Sequence, residues 1–492
     1  MIMVQAKRTP FKTLAGLALV AVVTSGCANF GPKASTPALA LGTFPDQYPE
    51  DLAAEGQPAA PAPLESFFQD PTLQGLIKEA LENNQERALV LQELRMAKNE
   101  VQARGGELWP FLRLGGGWDR EKVGRYTRHG AVEESLELTH EKNFPDPLSN
   151  FRLGAQVSWE VDIWRRLRNE RDSAIMRYLS SLEGQRFMVT HLIAEVAETY
   201  YALRALDSRL AILNNTIGLQ KDALALVRLQ KDAAVTTQLA VTKFEAEVLK
   251  NQSERVVLQQ ERVQEENRLH FLLGRYPTEL TRPSEDFAEL QPPSLAIGLP
   301  TDLLRQRPDV RAAERAVQAA ALDVAAARAR FYPALDLSAA FGAEAFQLGR
   351  FDANPASRAY GIGVDFLAPL LNRAGLKAAY GNATAEQEQA LLRYQQTSLK
   401  AYLDVLNQLN ALRNLSESAT LKAQQVATLG NSVEAASRLF SSARADYMEV
   451  LMTQRDALES RLDLIDLREQ QFQAAIRAYA ALGGGAPAPD PS

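Results

Sequence analysis

Apolar and polar positions change period several times along the chain. From about residue 164 to 232 the period is close to seven. Val196, Leu203, Leu210, Ile217 and Leu224 occupy one heptad position, and Thr199, Leu206, Leu213, Gln220 and Val227 the other seam position. About four heptads on this repeat predict coiled-coil packing, with Thr199 and Gln220 as polar interruptions tolerated at some cost in stability. No proline falls between Pro147 and Pro277 or between Pro369 and Pro487, so both stretches can carry long helices. A helix from Trp164 to Asp232 is on the order of 100 Å long, far beyond what an ordinary globular domain needs. A reversal near residues 231 to 237, followed by a helical pattern back to Leu273, predicts an antiparallel hairpin. The later half repeats this around a reversal near residues 441 to 446.

Elsewhere the period drops to two. Phe151, Leu153, Ala155, Val157, Trp159 and Val161 alternate with Arg152, Gly154, Gln156, Ser158 and Glu160, and Tyr360, Ile362, Val364 and Phe366 alternate with Ala359, Gly361, Gly363 and Asp365. Leu335, Leu337, Ala339 and Phe341 make a third such face, and Leu112, Leu114 and Trp118 a weaker fourth. Strands of roughly 9 to 11 residues, apolar on one side and polar or small on the other, suit a tilted strand in an outer membrane. A soluble half-buried sheet gives the same alternation, and both readings stand at this point. Four strands do not close a pore, so the membrane reading also requires oligomerisation.

The order of elements repeats. With Pro110 set against Pro333, Leu81 falls opposite Leu304, Val101 opposite Val324 and Trp109 opposite Tyr332; at the reversals, Arg228-Leu229 matches Arg438-Leu439 and Ala233 matches Ala443. An internal duplication follows, with a first repeat over residues 64–285 and a second over 286–482. An Ala/Pro-rich linker precedes them within 27–63, and a Gly/Pro tail occupies 483–492.

At the N-terminus, Lys7, Arg8 and Lys12 precede an apolar run from Leu14 to Val23, then Thr24, Ser25, Gly26 and Cys27. This is the layout of a secretory signal peptide over residues 1–26. Its end resembles the bacterial lipoprotein box, with Thr24 where Leu is usual, and the resemblance implies cleavage before Cys27 and covalent lipid on that residue. Cys27 is the only cysteine of the 492 residues and so has no intramolecular disulfide partner. Three acyl chains would hold a membrane durably. Ala28 follows where inner-membrane lipoproteins of this kind commonly carry Asp, which directs the expectation to the outer membrane. Past Val23 no apolar stretch reaches the roughly 18 residues of a spanning helix, so a membrane crossing must be made by strands.

Composition removes other classes. A net charge of −6 with no long basic block leaves no electrostatic footprint for nucleic acid. His129, His140, His191 and His270 are scattered without zinc-ligand spacing. His140-Glu141 lacks the second histidine of a zincin helix, Gly361-Ile362-Gly363 lacks the third glycine of a dinucleotide loop, and no nucleophile elbow or phosphate loop occurs. The expectation is no enzyme, and no cofactor beyond the lipid on Cys27.

The order helix, strand, strand, long hairpin, given twice behind a lipoprotein box, resembles the TolC superfamily. The stretch from Gly298 through Leu-Pro-Thr-Asp-Leu-Leu-Arg-Gln-Arg-Pro-Asp-Val-Arg-Ala-Ala to Glu314, with Ala329-Arg330-Phe331-Tyr332-Pro333, resembles its OprM/NodT-like lipoprotein branch. The resemblance implies a mixed α and β fold: a homotrimer whose four strands per protomer make a 12-stranded transmembrane barrel, continued by a periplasmic α-helical coiled-coil barrel. It implies the exit duct of a tripartite system, partnered by a membrane-fusion adaptor and an inner-membrane pump of the resistance-nodulation-division type. Metal-ion efflux and type I protein secretion are alternatives on the same fold, and a structural coiled-coil lipoprotein is one from another class. The family's adaptor docks at the hairpin tips, which here carry Ala233, Thr236, Ala443, Arg444 and Tyr447, with alanine where glycine is usual. Beside the second tip, Asp446 and Glu449 share a helical face and stand near the acidic residues that ring the family's closed periplasmic mouth. Met448 and Met452, one turn apart, offer thioethers to a soft metal or pack a seam.

Overall fold

The computed structural model describes residues 45, 48–49, 63–139, 142–143, 145–283, 287–293, 295, 300–351, 355–442 and 444–485. The expected signal peptide, Cys27, most of the 27–63 stretch, Gly298, Ala443 and the tail from 486 lie outside them. The chain divides into two compact units.

The first unit holds a four-stranded antiparallel sheet: β1 (Phe111–Glu121), β2 (Leu148–Glu160), β3 (Ala334–Ala345) and β4 (Arg358–Leu367), in that spatial order. A two-turn helix, Arg128–Ser135, and a small two-stranded ladder lie between β1 and β2. The register carries the alternation of the sequence from strand to strand. Leu112, Leu114 and Trp118 lie opposite Val157, Ala155 and Phe151; these strands continue through Ala339, Phe341 and Ala345 to Ile362 and Tyr360. All four apolar sets therefore share one face. The other face carries Arg113, Arg152, Gln156, Ser158, Glu160, Asp336, Asp365 and a row of small residues.

Two glycines in that row are required by close approach. Gly154 and Gly342 face each other across β2 and β3, and a Cβ on Gly342 would meet the carbonyl of Leu153 and, at 2.7 Å, the Cα of Gly154. The backbones come this near at that pair, and any side chain would oppose it.

The second unit contains α1 (Pro71–Asn83) and most of two helical hairpins. The hairpins are α3 (Arg166–Asp232) with α4 (Gln238–Leu272), and α6 (Ala374–Ser441) with α7 (Tyr447–Ala481). α2 (Gln85–Gly106) and α5 (Pro308–Ala329) are each 22 residues. The heptad reading holds: Val196, Leu203, Leu213 and Ile217 are buried, and Thr199 and Gln220 are buried with them. The main core gathers Leu73 and Ile77 of α1, Val196, Tyr200 and Leu203 of α3, Leu269 of α4 and Ile465 and Phe472 of α7. Asp70 ties α1 into it. Its carboxylate caps α1 at Thr72 and Leu73 and accepts a 2.5 Å bond from the Tyr200 hydroxyl. Burial, then this carboxylate, raises the phenol well above its ordinary range.

Candidate functional site

The exposed apolar face of the sheet is the first functional feature. Leu114, Ile362, Tyr360 and Val364 are 81%, 84%, 81% and 65% exposed, although strand burial normally hides such side chains from water. Aromatics sit at both ends of the face. Trp118 stacks on Phe151 at 6.3 Å at one end, and Trp159 and Phe366 stand at the other. Eight residues of β2 separate Phe151 from Trp159, about 26 Å of strand and about 20 Å of height once tilted. That approaches the roughly 25 Å apolar band between aromatic girdles of an outer-membrane barrel wall. The outer edges of β1 and β4 have no strand partner among the described residues, and such rows of free backbone groups are not tolerated inside a bilayer.

The hairpin tips are the second feature. At the first, the Val235 N–H donates to the Gln230 carbonyl and the Ala234 N–H to that of Lys231, and Ala234 has φ +59°. This is a Schellman ending with its left-handed position filled by alanine. The left-handed residue is thus Ala234, while Ala233 still donates helically to Leu229. The second tip repeats the outer bond, from the Arg444 N–H to the Leu439 carbonyl. Gln230 therefore corresponds to Leu439, and the alignment of Ala233 with Ala443 is corrected by one residue: Ala443, outside the described residues, aligns with Ala234. The same register runs on, since α4 and α7 are both 35 residues. The two helices before the tips end in the same register, Asp232 with Ser441. Thr236 is half-buried; the hydroxyl that caps α4, accepting from the Ala240 N–H, belongs to Thr237.

Asp446 and Glu449 are the N-cap and third residue of α7, joined by the Glu449 N–H donating to the Asp446 carbonyl. Both side chains are exposed, and the Asp446 carboxylate makes no cap bond. Negative charge there complements the helix N-terminus whatever else it does. Tyr447 packs instead against an apolar cluster that includes Phe244 and Leu451. Arg444 is exposed, Met448 half-buried and Met452 half-exposed. The residue that sequence reasoning passed over is Asn251, buried on α4 and bonded to Gln220. Its signal was a polar residue in line with the buried apolar positions Val241, Phe244, Val248 and Leu258 of the same helix.

No described helix is long and apolar enough to cross a membrane. A sheet with one exposed apolar face between aromatic bands, in a chain otherwise built of long helical hairpins, defines the class as an outer-membrane channel protein. The chain belongs to the outer membrane efflux protein family, whose pattern matches residues 76–275 and 299–484. It is 30% identical over 425 residues to the pyoverdine export outer membrane protein OpmQ of Pseudomonas putida, covering 86% of this chain and 88% of the relative. To the cation efflux system protein CusC of Escherichia coli K12 it is 26% identical over 471 residues, 95% of this chain and 98% of the other. A crystal structure of CusC superposes with a TM-score of 0.78 at 25% identity, over 92% and 99% of the two chains. The open MtrE channel of Neisseria gonorrhoeae shares the fold, with a TM-score of 0.78 at 21% identity over 92% and 98%. The chain is an outer-membrane efflux channel protein.

Proposed function

We propose that three copies of this chain, each lipidated at Cys27, close a 12-stranded barrel in the outer membrane and a 12-helix periplasmic tunnel. The assembly is the exit duct of a tripartite pump and has no catalytic role. The observation that carries this reading is the sheet itself. Its exposed apolar face needs lipid, and its two unpaired edges need each other, which only further copies supply. The equal 35-residue return helices and equal 22-residue connecting helices support two repeats over 64–285 and 286–482. A periplasmic adaptor docks at the tips around Thr236 and Arg444, and an inner-membrane pump of the resistance-nodulation-division type supplies the cargo. The cargo class is small molecules, in keeping with the pyoverdine, solvent, toluene and cation relatives.

The test uses the lone native cysteine. In a Cys27→Ser background with a different cleavable signal, a Gly115→Cys/Gly361→Cys chain has one thiol on each open edge. Oxidised membranes are expected to yield covalent trimers on denaturing gels, and cells lacking their own exit duct to regain drug export with the parent protein. Monomers or open-ended ladders overturn the barrel, and unchanged drug susceptibility overturns the duct. Mass spectrometry of the mature N-terminal peptide is expected to find lipid on Cys27, and an unmodified cysteine or a different cleavage site removes the anchor.

A further inference from the structure

Three amide side chains interrupt the apolar core of the hairpins at one level. Gln220 on α3 comes three residues after Ile217 and four before Leu224. Asn251 on α4 comes three after Val248, and Gln454 on α7 three after Leu451 and four before Leu458. These flanking residues belong to two separate clusters. Ile217, Leu258 and Leu458 join Leu206, Leu210, Leu213 and Leu462 on the side away from the tip. Leu224, Val248 and Leu451 join Val227, Val241 and Phe244 on the tip side, where Phe440 and Tyr447 also pack. Each helix therefore passes from one dry cluster to the next through an amide.

The layer is poorly satisfied. Gln220 and Asn251 are 2% and 1% exposed, and Asn251 Nδ2 donates to Gln220 Oε1 at 2.8 Å. That bond leaves Gln220 Nε2 and Asn251 Oδ1 buried without hydrogen-bond partners, and the buried Oε1 of half-buried Gln454 has none either. Leucine at these seam positions would pack without stranding polar atoms, so stability alone does not select glutamine and asparagine here. An amide layer differs from a leucine layer in how it resists rotation. Interdigitated leucines lock by shape, whereas amides with an unmet donor and unmet acceptors can exchange partners with small torsional changes.

We propose that the Gln220–Asn251–Gln454 layer is a pivot. The tip-side segment, from Leu224 round to Val248 together with the start of α7, opens and moves about it while the cluster beyond stays packed. In the displaced position Gln220 Nε2 reaches an acceptor that it lacks here. Because Leu451 and Tyr447 share the tip cluster with Phe244, the moving body includes residues of both hairpins, and Asp446 and Glu449 travel with it. The inference rests on the duct reading in one respect, that the tips part for cargo to pass.

Hydrogen exchange followed by mass spectrometry on the full-length protein in detergent tests the pivot. Amides of 224–248 and 447–453 are expected to exchange about tenfold faster than those of 206–217. In Gln220→Leu/Asn251→Leu/Gln454→Leu the tip segments are expected to slow about tenfold while 206–217 is unchanged. The same variant is expected to reach the outer membrane in normal amount and export dye less well. Equal exchange of the two segments in the parent overturns the pivot, as does a variant that slows both alike or neither. Should the triple variant not assemble, the Gln454→Leu protein is read by the same comparison. Failure of dye export by the parent removes the duct reading but leaves the exchange contrast to decide the pivot.

Discussion

Glu469 on α7 is the residue whose substitution gives the clearest energetic test. It lies among Asp466 of its own helix and Glu261 and Glu265 of α4, with Arg209 of α3 the opposing cation. Burial first, then repulsion from Asp466, pushes its carboxyl from the ordinary 4.5 up to about 7. Asp466 is raised as well, by burial and then by Asp463 and Glu261, against Arg209. The folded state therefore holds a proton on Glu469 that the unfolded chain releases at lower pH. The stability this contributes is fully present below pH 4.5 and is lost as pH rises through about 7. At about 1.4 kcal/mol per unit, the loss is on the order of 3 kcal/mol. Glu469→Gln keeps the carbonyl that accepts the 2.7 Å bond from Gln473 Nε2 and removes the ionisation. Thermal unfolding of parent and variant in detergent, from pH 4.5 to 8.5, is the assay. The variant is expected to match the parent at pH 4.5 and to exceed it by about 3 °C at pH 8.5, for a chain of this length. A constant difference at every pH, or a variant less stable at pH 8.5, refutes the argument that a buried carboxyl is being ionised.

Ile362→Arg places a charge on the exposed apolar face and is expected to cost about 2 to 4 kcal/mol if that face meets lipid near mid-bilayer. The readout is loss of heat-resistant trimer on gels, with Gly361→Ser on the opposite face as the tolerated control. Ala234→Gly relieves a left-handed alanine and is expected to stabilise the first tip by about 1 kcal/mol, seen as slower proteolysis within 228–238. Asp446→Ala/Glu449→Ala is expected to lose cation selectivity and divalent block in planar-bilayer conductance. Retention of both would leave these carboxylates as helix-end charges.

Much of this architecture follows from local periodicity alone. A period of two along Phe151–Val161 and of seven along Val196–Leu224 each dictates an element without reference to distant residues, because side-chain direction is set by the backbone's own repeat. The expected lipoprotein box ending at Cys27 and the motif from Gly298 to Glu314 are likewise linear signals. The sequence by itself also separated the apolar from the polar face of every strand. What it could not settle was whether four strands spread between Phe111 and Leu367 share one face; pairing register across β2 and β3 decided that. Only the tertiary structure placed the left-handed tip residue at Ala234. The position of a helix's last turn depends on which of its own end carbonyls the following residues recapture, and propensity leaves such boundaries uncertain by a residue or two. Gln220 showed in the heptad as an isolated flaw. Its hydrogen-bond partner Asn251 emerged only when α3 and α4 met, because burial and hydrogen-bond satisfaction belong to contacts between segments and not to any one segment's pattern.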